Sequence, residues 1–470
     1  MKVLFLAAEV SPIAKVGGLG DFAGELPGFL RDLGVDLLQA LPFYPFLKRA
    51  GLAIQSVGEL AVDTLTGPIE AAIYLSTVGR VPLLLVDAEP LGSTDGIYGD
   101  PAEDARKFAH FSVASLLACD RLGWAPDIVH AHDWHTAPAI AWAARNRPGT
   151  ATILTIHNLP YMGHGGEQAM EQYGLLLPPG SGLPTWAERL PLPLGIASAS
   201  WITTVSPSYA QEILEPDFGS GLEGFLRNRA QRLTGILNGI DPARWNPAMD
   251  TALVQTYGVA DLQRRPVNKT RLLDDLGLLA QPSVPLLGMV SRLDSQKGID
   301  IAMEALGMLP GLDWQFVLLG KGDPELEGAA RQFADANRDR VRFLPLFDPS
   351  LARRVYAGAD MILLPSRYEP CGLAQMIAMR YGAVPVAHPV GGLKDTIIDA
   401  SDSLRGTGFL STEPRSAAFA NAMKRGMATY RDPEAWGALQ RRGMLHDFSW
   451  KRSASQYVDL YRRAVREPPA

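Results

Sequence analysis

The sequence predicts an α/β protein built as two doubly wound domains, each a parallel sheet between layers of helix. Three observations carry that reading. Short runs rich in Val, Ile and Leu recur along the chain, stretches of helical period separate them, and the whole series occurs twice, once on each side of a turn-rich segment. In the first half the strand candidates are residues 2–9, 35–41, 81–86, 127–131, 152–156 and 201–205. In the second they are 285–290, 314–319, 341–346, 361–365 and 383–387.

The segment LNGIDPARWNP at 237–247 interrupts both periods and sets the boundary near Asp241. The expected domains are 1–241 and 242–447, followed by a C-terminal segment 448–470 whose stretch 449–465 reads as an amphipathic helix. Residues 161–193 carry GHGG, LPPGSG and LPLPLG, too many helix breakers for a regular element, and read as an ordered insertion or a flap.

Composition narrows the function classes. With 470 residues, 47% of them hydrophobic and 20% charged, the chain buries cores rather than staying disordered. Its 44 basic and 50 acidic side chains give a formal charge of -6 with no long run of one sign, which argues against nucleic acid and against an anionic membrane surface. Cys119 and Cys371 make no disulfide framework and match no zinc spacing. The apolar stretch 3–8 ends at Glu9 and runs into a glycine loop, so it reads as a buried first strand and not a leader. No apolar run approaches the ~18 residues of a membrane span. A soluble, cytoplasmic protein is the expectation.

The polar motifs sit where open α/β sheets place ligands, beyond the carboxyl ends of strands. Lys15-Val-Gly-Gly-Leu-Gly-Asp21 follows the first strand and opens a helix, so its amides and Lys15 suit a phosphate, although a tight turn needs no more than this. Walker A is absent. Gly18, Gly20 and Ala23 satisfy a loose dinucleotide fingerprint, but the second strand ends in Gln39-Ala-Leu-Pro42 with no acid for a ribose. His130-Ala-His-Asp-Trp-His135 puts His130 and His132 on one strand face and brings metallohydrolases to mind. The blander reading has these side chains bonding one another, with Asp133 turned to a polar ligand. His157-Asn158 ends the strand TILTI. Arg292 and Lys297, on the loop SRLDSQKG after PLLGMV, fit a pyrophosphate clamp, or else are solvated surface charge. In PSRYEPCGL at 365–373, Glu369 lies beside a helix start, where amides suit an anion and the carboxylate suits hydroxyl hydrogens. No Asp-x-Asp is present, so Arg, Lys and amides must neutralise any diphosphate without a metal.

Taken together, KVGGLGD (15–21), HDWH (132–135), TIHN (155–158), TVSPSYAQEI (204–213), GILNGID (235–241), SRLDSQKG (291–298), PSRYEPCGL (365–373), DFSW (447–450) and YVDLY (457–461) resemble bacterial glycogen synthases and plant starch synthases almost from end to end. The resemblance implies the GT-B fold, two facing Rossmann-like domains with a cleft between them and a C-terminal helix returning to the first. It implies retaining transfer of glucose from a nucleotide donor, ADP-glucose in the leading reading and UDP-glucose in the alternative, to the non-reducing end of an α-1,4-glucan such as glycogen, with no cofactor and no metal.

By that resemblance Lys15, Gly18, Arg292 and Lys297 bind the donor diphosphate, and Gly17 and Asp21 belong to the donor site. Asp133, His157, Asn158, Asn238 and Glu369 surround the sugar, with Cys371, Gly372 and Leu373 lining the same pocket. Phe347 stands where the family stacks an aromatic on the base, and Tyr98, in GIYG, faces the donor. Of these, Glu369, Asp133, His157, Lys297 and Arg292 are the catalytic set. Two departures stand out. His388-Pro-Val-Gly391 replaces a more usual Arg or Thr segment, and the second Glu that many such transferases carry eight residues after the first is Ile377 here, leaving Gln375 as the substitute on offer. Two other classes stay open on the residues: a metal-dependent hydrolase using the HxHDxH run, and a silent glucan-binding protein.

Overall fold

A computed structural model describes residues 1–92, 94–178 and 180–467. Two compact units emerge. The first comprises Met1–Gly239 and the chain from Trp450 onward, and the second is Ile240–Ser449.

The first unit carries a nine-stranded sheet. Its strands are β1 (Lys2–Leu6), β2 (Asp36–Pro42), β3 (Gln55–Val62), β4 (Ile69–Val78), β5 (Val81–Ala88), β6 (Ile128–His132), β7 (Ala151–Ile156), β8 (Trp201–Thr204) and β9 (Leu233–Gly235), in the spatial order 3-4-5-2-1-6-7-8-9. β1 lies parallel between β2 and β6, and Val3 to Leu6 are wholly buried, as a strand covered on both faces requires.

The parallel expectation needs one correction. β3 and β4 form an antiparallel hairpin, and β4 also runs antiparallel to β5. These edge strands mix exposed and buried positions and so lack the continuous apolar run that marks the central strands. Residues 161–193 also hold more regular structure than their glycines and prolines predict. A helix covers Glu167–Gln172 and another Pro191–Ser198, the latter with Pro191 and Pro193 in its first turn, where no intrahelical N–H is lost. Pro179, within LPPGSG, lies outside the described residues.

The second unit has a six-stranded parallel sheet of β10 (Leu286–Val290), β11 (Gln315–Leu319), β12 (Val341–Leu344), β13 (Met361–Leu364), β14 (Val384–Ala387) and β15 (Phe409–Leu410), in the order 12-11-10-13-14-15. The order reverses between β10 and β13, which are hydrogen-bonded neighbours. In such sheets that switch point opens a crevice at the carboxyl ends.

The C-terminal helix Trp450–Arg466 belongs to the first unit's core. Trp450, Tyr457, Leu460, Tyr461 and Ala464 are buried together with Phe22 and Leu26 of the helix Gly18–Asp32. Its polar anchors are equally specific: Trp450 Nε1 donates to Glu25 at 2.6 Å, and the Tyr461 hydroxyl lies 2.7 Å from His130 Nδ1. Among the described residues no helix is long and apolar enough to cross a membrane.

Tyr461→Phe strips His130 of a buried partner and should cost about 1–3 kcal/mol, while Trp450→Ala should cost about 3–5 kcal/mol. Scanning calorimetry should show the loss in the first unit's transition, at roughly 2–4 °C per kcal/mol. Unchanged melting of both variants would show that the helix is not part of that core.

Candidate functional site

The first unit gathers its polar residues at the carboxyl ends of β1, β6, β7 and β9. Just beyond β1, Glu9 is only 3% exposed. Its Oε2 accepts the N–H groups of Val16 (2.7 Å) and Gly17 (2.8 Å), and its Oε1 accepts the Tyr98 hydroxyl (2.6 Å). The carboxylate therefore takes two of the glycine loop's amides for itself. The amides left to an outside anion are those of the helix's first turn, from Gly18, which have no intrahelical acceptor. Lys15 forms an ion pair with Asp21 at 2.7 Å. Tyr98 is turned inward, bonded to Glu9 and packed against His135 and Phe108, so it supports the loop from behind.

Asp133, the first residue of the helix Asp133–Asn146, holds a left-handed φ of 55°, uncommon for a residue with a Cβ. Its side chain is 6% exposed and accepts from His157 N (2.7 Å) and Asn158 N (3.3 Å), tying the ends of β6 and β7 together. Burial pushes its carboxyl up to about 7, against the opposing pull of those two N–H bonds. Asn158 and Asn238 each keep a buried side-chain carbonyl oxygen without a hydrogen-bond partner, at the ends of β7 and β9. Two unsatisfied acceptors at one sheet edge are what a hydroxyl-rich ligand would satisfy.

The histidines of the HxHDxH run are structural. His130 lies between Tyr461 and Thr155 hydroxyls, each at 2.7 Å. His132 Nδ1 is 3.3 Å from His157 Nε2, and His135 packs on Trp134 and Phe108. Among the described residues, no group of three His, Cys, Asp or Glu side chains is arranged to hold a metal. The hydrolase reading loses its site for a physical reason, since hydroxyls occupy both nitrogens of His130.

In the second unit the predicted residues stand at the carboxyl ends of β10, β12 and β13. Glu369 is 7% exposed, and its Oε2 meets Lys297 Nζ at 2.6 Å and Ser366 Oγ at 3.2 Å. Lys297 ends a short 3-10 turn, Ser295–Lys297, capped by Asp294 and closed by Gly298 in the left-handed region. A Cβ at Gly298 would lie 2.3 Å from Pro365 O, so the close approach of the two loops requires glycine there. Gln296 stitches the same loops, donating to Tyr368 O (3.1 Å) and accepting Arg367 N at its backbone oxygen (2.8 Å).

Arg292 is more than half exposed and 3.4 Å from Asp294, held only at the surface. Phe347 is 76% exposed, a ring open to solvent at the end of β12. Cys371 is buried, Gly372 is left-handed, and Leu373 caps the helix Ala374–Arg380. His388, past β14, donates from Nδ1 to the Ser366 carbonyl (3.1 Å), and burial lowers its pKa. Ile377 and Gln375 are both buried in that helix, which removes Gln375 as a ribose ligand.

Four participants escaped sequence reasoning: Glu9, Ser366, Gln296 and Tyr461. A signal existed for Glu9 alone, because a charge directly after a fully buried strand is rare unless it is paired.

The comparisons with known proteins agree over the whole chain. The starch synthase catalytic domain model matches residues 2–228, and the glycosyl transferases group 1 model matches residues 284–428. The chain is 41% identical to the glycogen synthase of Syntrophotalea carbinolica over 479 residues, covering 99% of both. It is likewise 41% identical to glycogen synthase 1 of Methylococcus capsulatus, over 99% of this chain and 97% of that one. Among solved structures, the catalytic domain of starch synthase IV from Arabidopsis thaliana, bound to ADP and acarbose, matches with a TM-score of 0.89 and 33% identity across 99% of each chain. A sucrose-phosphate synthase from Thermosynechococcus elongatus, at 21% identity and a TM-score of 0.63, shares the fold.

The titrations oppose one another. Burial lowers His130 and His135 to about 3, so they bind protons in the unfolded chain that they refuse in the folded one. Their contribution is whole above the unfolded value near 6.5 and drains away as pH falls toward 3. Asp133, raised to about 7, acts in reverse and erodes stability as pH climbs from about 4 to 7. The melting temperature should fall as pH drops below about 6.5, and Asp133→Asn, which removes the opposing titration, should steepen that fall between about pH 7 and 4. A melting temperature constant from pH 4 to 7 in both chains would contradict these environments.

Proposed function

The chain belongs to the starch and glycogen synthase family of glycosyltransferases, a GT-B fold, and from that premise we propose that it moves glucose from ADP-glucose to the non-reducing end of an α-1,4-glucan, retaining the anomeric configuration. The observation that carries the reading is the Lys297–Glu369 pair, held at 2.6 Å by two interlocked loops at the carboxyl edge of the second sheet. A buried carboxylate sharing an ammonium suits a site where a sugar hydroxyl meets one partner and a phosphate oxygen the other.

In this reading Lys297 and Arg292 draw the departing diphosphate, with Lys15 and the Gly17–Gly18 loop adding positive potential and Asp21 holding Lys15 in place. Phe347 offers an open face to the nucleobase. Glu369, backed by Cys371, Gly372 and Leu373, orients the sugar in the second unit. His157, Asn158 and Asn238 meet sugar hydroxyls in the first, and Asp133 fixes His157 through its backbone N–H. Tyr98 serves through Glu9 and not through the donor.

The bond between the anomeric carbon and the phosphate oxygen breaks, and its electron pair leaves with the diphosphate. The acceptor hydroxyl attacks from the same face and gives its proton to a departing phosphate oxygen, so no covalent enzyme intermediate is needed. ADP is the product of such a transfer from ADP-glucose, and the starch synthase IV match was solved with ADP and acarbose, which supports the choice of base and of acceptor class.

Release of ADP from ADP-glucose and of UDP from UDP-glucose, each with and without glycogen, tests the reading. The expected outcome is glycogen-dependent ADP release that a chelator does not suppress, with the UDP donor poorer. Glu369→Ala and Lys297→Ala should each raise the barrier by about 2.7–4 kcal/mol, or 100- to 1000-fold in kcat. Near-wild-type turnover in both variants would remove these residues from the site.

A further inference from the structure

We propose that Gln375 is a positioning residue for the turn 369–373, acting on transfer only through the backbone it holds; the inference rests on reading that turn as part of the donor site. Gln375 is fully buried in the first turn of the helix Ala374–Arg380, so it touches no substrate. Its side-chain nitrogen lies 3.0 Å from Cys371 O, 2.9 Å from Gly372 O and 3.1 Å from Thr396 Oγ1. Carbonyl oxygens only accept, so the atom facing both must be the amide nitrogen.

The contacts close into a ring. Thr396, at the end of the helix Gly391–Thr396, sends its hydroxyl hydrogen to Gly392 O (2.6 Å), and Gly392 N–H donates to Glu369 O (3.0 Å). The backbone of Glu369 is thus tied on one side, and the carbonyls two and three residues later on the other. Gly372 has φ +72°, and a Cβ there would lie 2.5 Å from Gln375 Oε1. The left-handed turn and the carboxamide therefore fit only together. What the ring fixes is the position of the Glu369 carboxylate against Lys297.

A carboxylate in place of the amide would set an oxygen, where the nitrogen now stands, against both carbonyls with no hydrogen between them. When protonated it regains one O–H donor, and burial raises the pKa at which that happens. This gives the role a pH signature that simple loss of packing does not share.

The test uses the full chain as wild type, Gln375→Glu and Gln375→Met, following ADP release from ADP-glucose with glycogen between pH 8 and 6, alongside melting temperature and amide hydrogen exchange. Both variants should lose about 100-fold in kcat at pH 8, the scale of a small misplacement of a reacting group, with the donor KM much less affected. The ratio of Gln375→Glu to wild type should climb as pH falls, by up to roughly tenfold per unit while the carboxyl stays ionised, and the Gln375→Met ratio should stay flat. Exchange at Gly392 N–H should accelerate in both variants at pH 8 while the strands of the second unit stay protected. A flat Gln375→Glu ratio, turnover within twofold of wild type, unchanged exchange at Gly392, or a Gln375→Met chain that fails to fold would each overturn the proposal. If wild type releases no nucleoside diphosphate from either donor, the donor-site reading falls, and exchange at Gly392 alone decides whether Gln375 holds the turn.

Discussion

A carboxylate stays buried at the end of a β-strand only where fixed donors meet it, because an unpaired charge out of water costs several kcal/mol. Both units are shaped by that constraint. Glu9 folds the glycine loop onto β1 by claiming the Val16 and Gly17 amides. Asp133 accepts a left-handed backbone in order to reach the amides at the end of β7. Glu369 is met by an ammonium and a hydroxyl instead of the main chain. Each loop conformation at a ligand edge follows from where its acid had to find hydrogens.

The difference among the three has chemical meaning. Main-chain donors are consumed in holding Glu9 and Asp133, so those acids organise their surroundings. Lys297 and Ser366 are side chains that can be drawn toward an incoming ligand, which leaves Glu369 the exchangeable partner. The histidine run, which looks like metal chemistry on paper, is packed as an aromatic and hydroxyl-bonded layer between Phe5, Phe22 and the C-terminal helix.

Much of this was legible from residue order, and the reasons are uneven. Central parallel strands announce themselves because burial on both faces demands unbroken apolar runs, and the strand-end rule then pointed to the loops that hold Lys297, Glu369, Asp133 and His157. The hairpin of β3 and β4 stayed hidden because its exposed positions dilute the pattern. The LPLPLG segment misled because proline breaks a helix interior but not its first turn. Glu9 to Tyr98 and Gln296 to Tyr368 were invisible for another reason: hydrogen bonds across 89 and 72 residues leave no spacing to read. Arg292 shows the converse, since its place on the loop was legible but its loose tether to Asp294 was not.

His130 and its partner Tyr461 are separated by 331 residues, with the whole second unit between them. On a ribosome the chain emerges in order, so the first sheet must wait with an open groove and an incompletely bonded histidine until the whole second unit has been synthesised. Where domains generally mature in the order of synthesis, the domain begun first here cannot close until the chain of the second is complete. An apolar groove left open for that interval is a natural client surface for holdase chaperones.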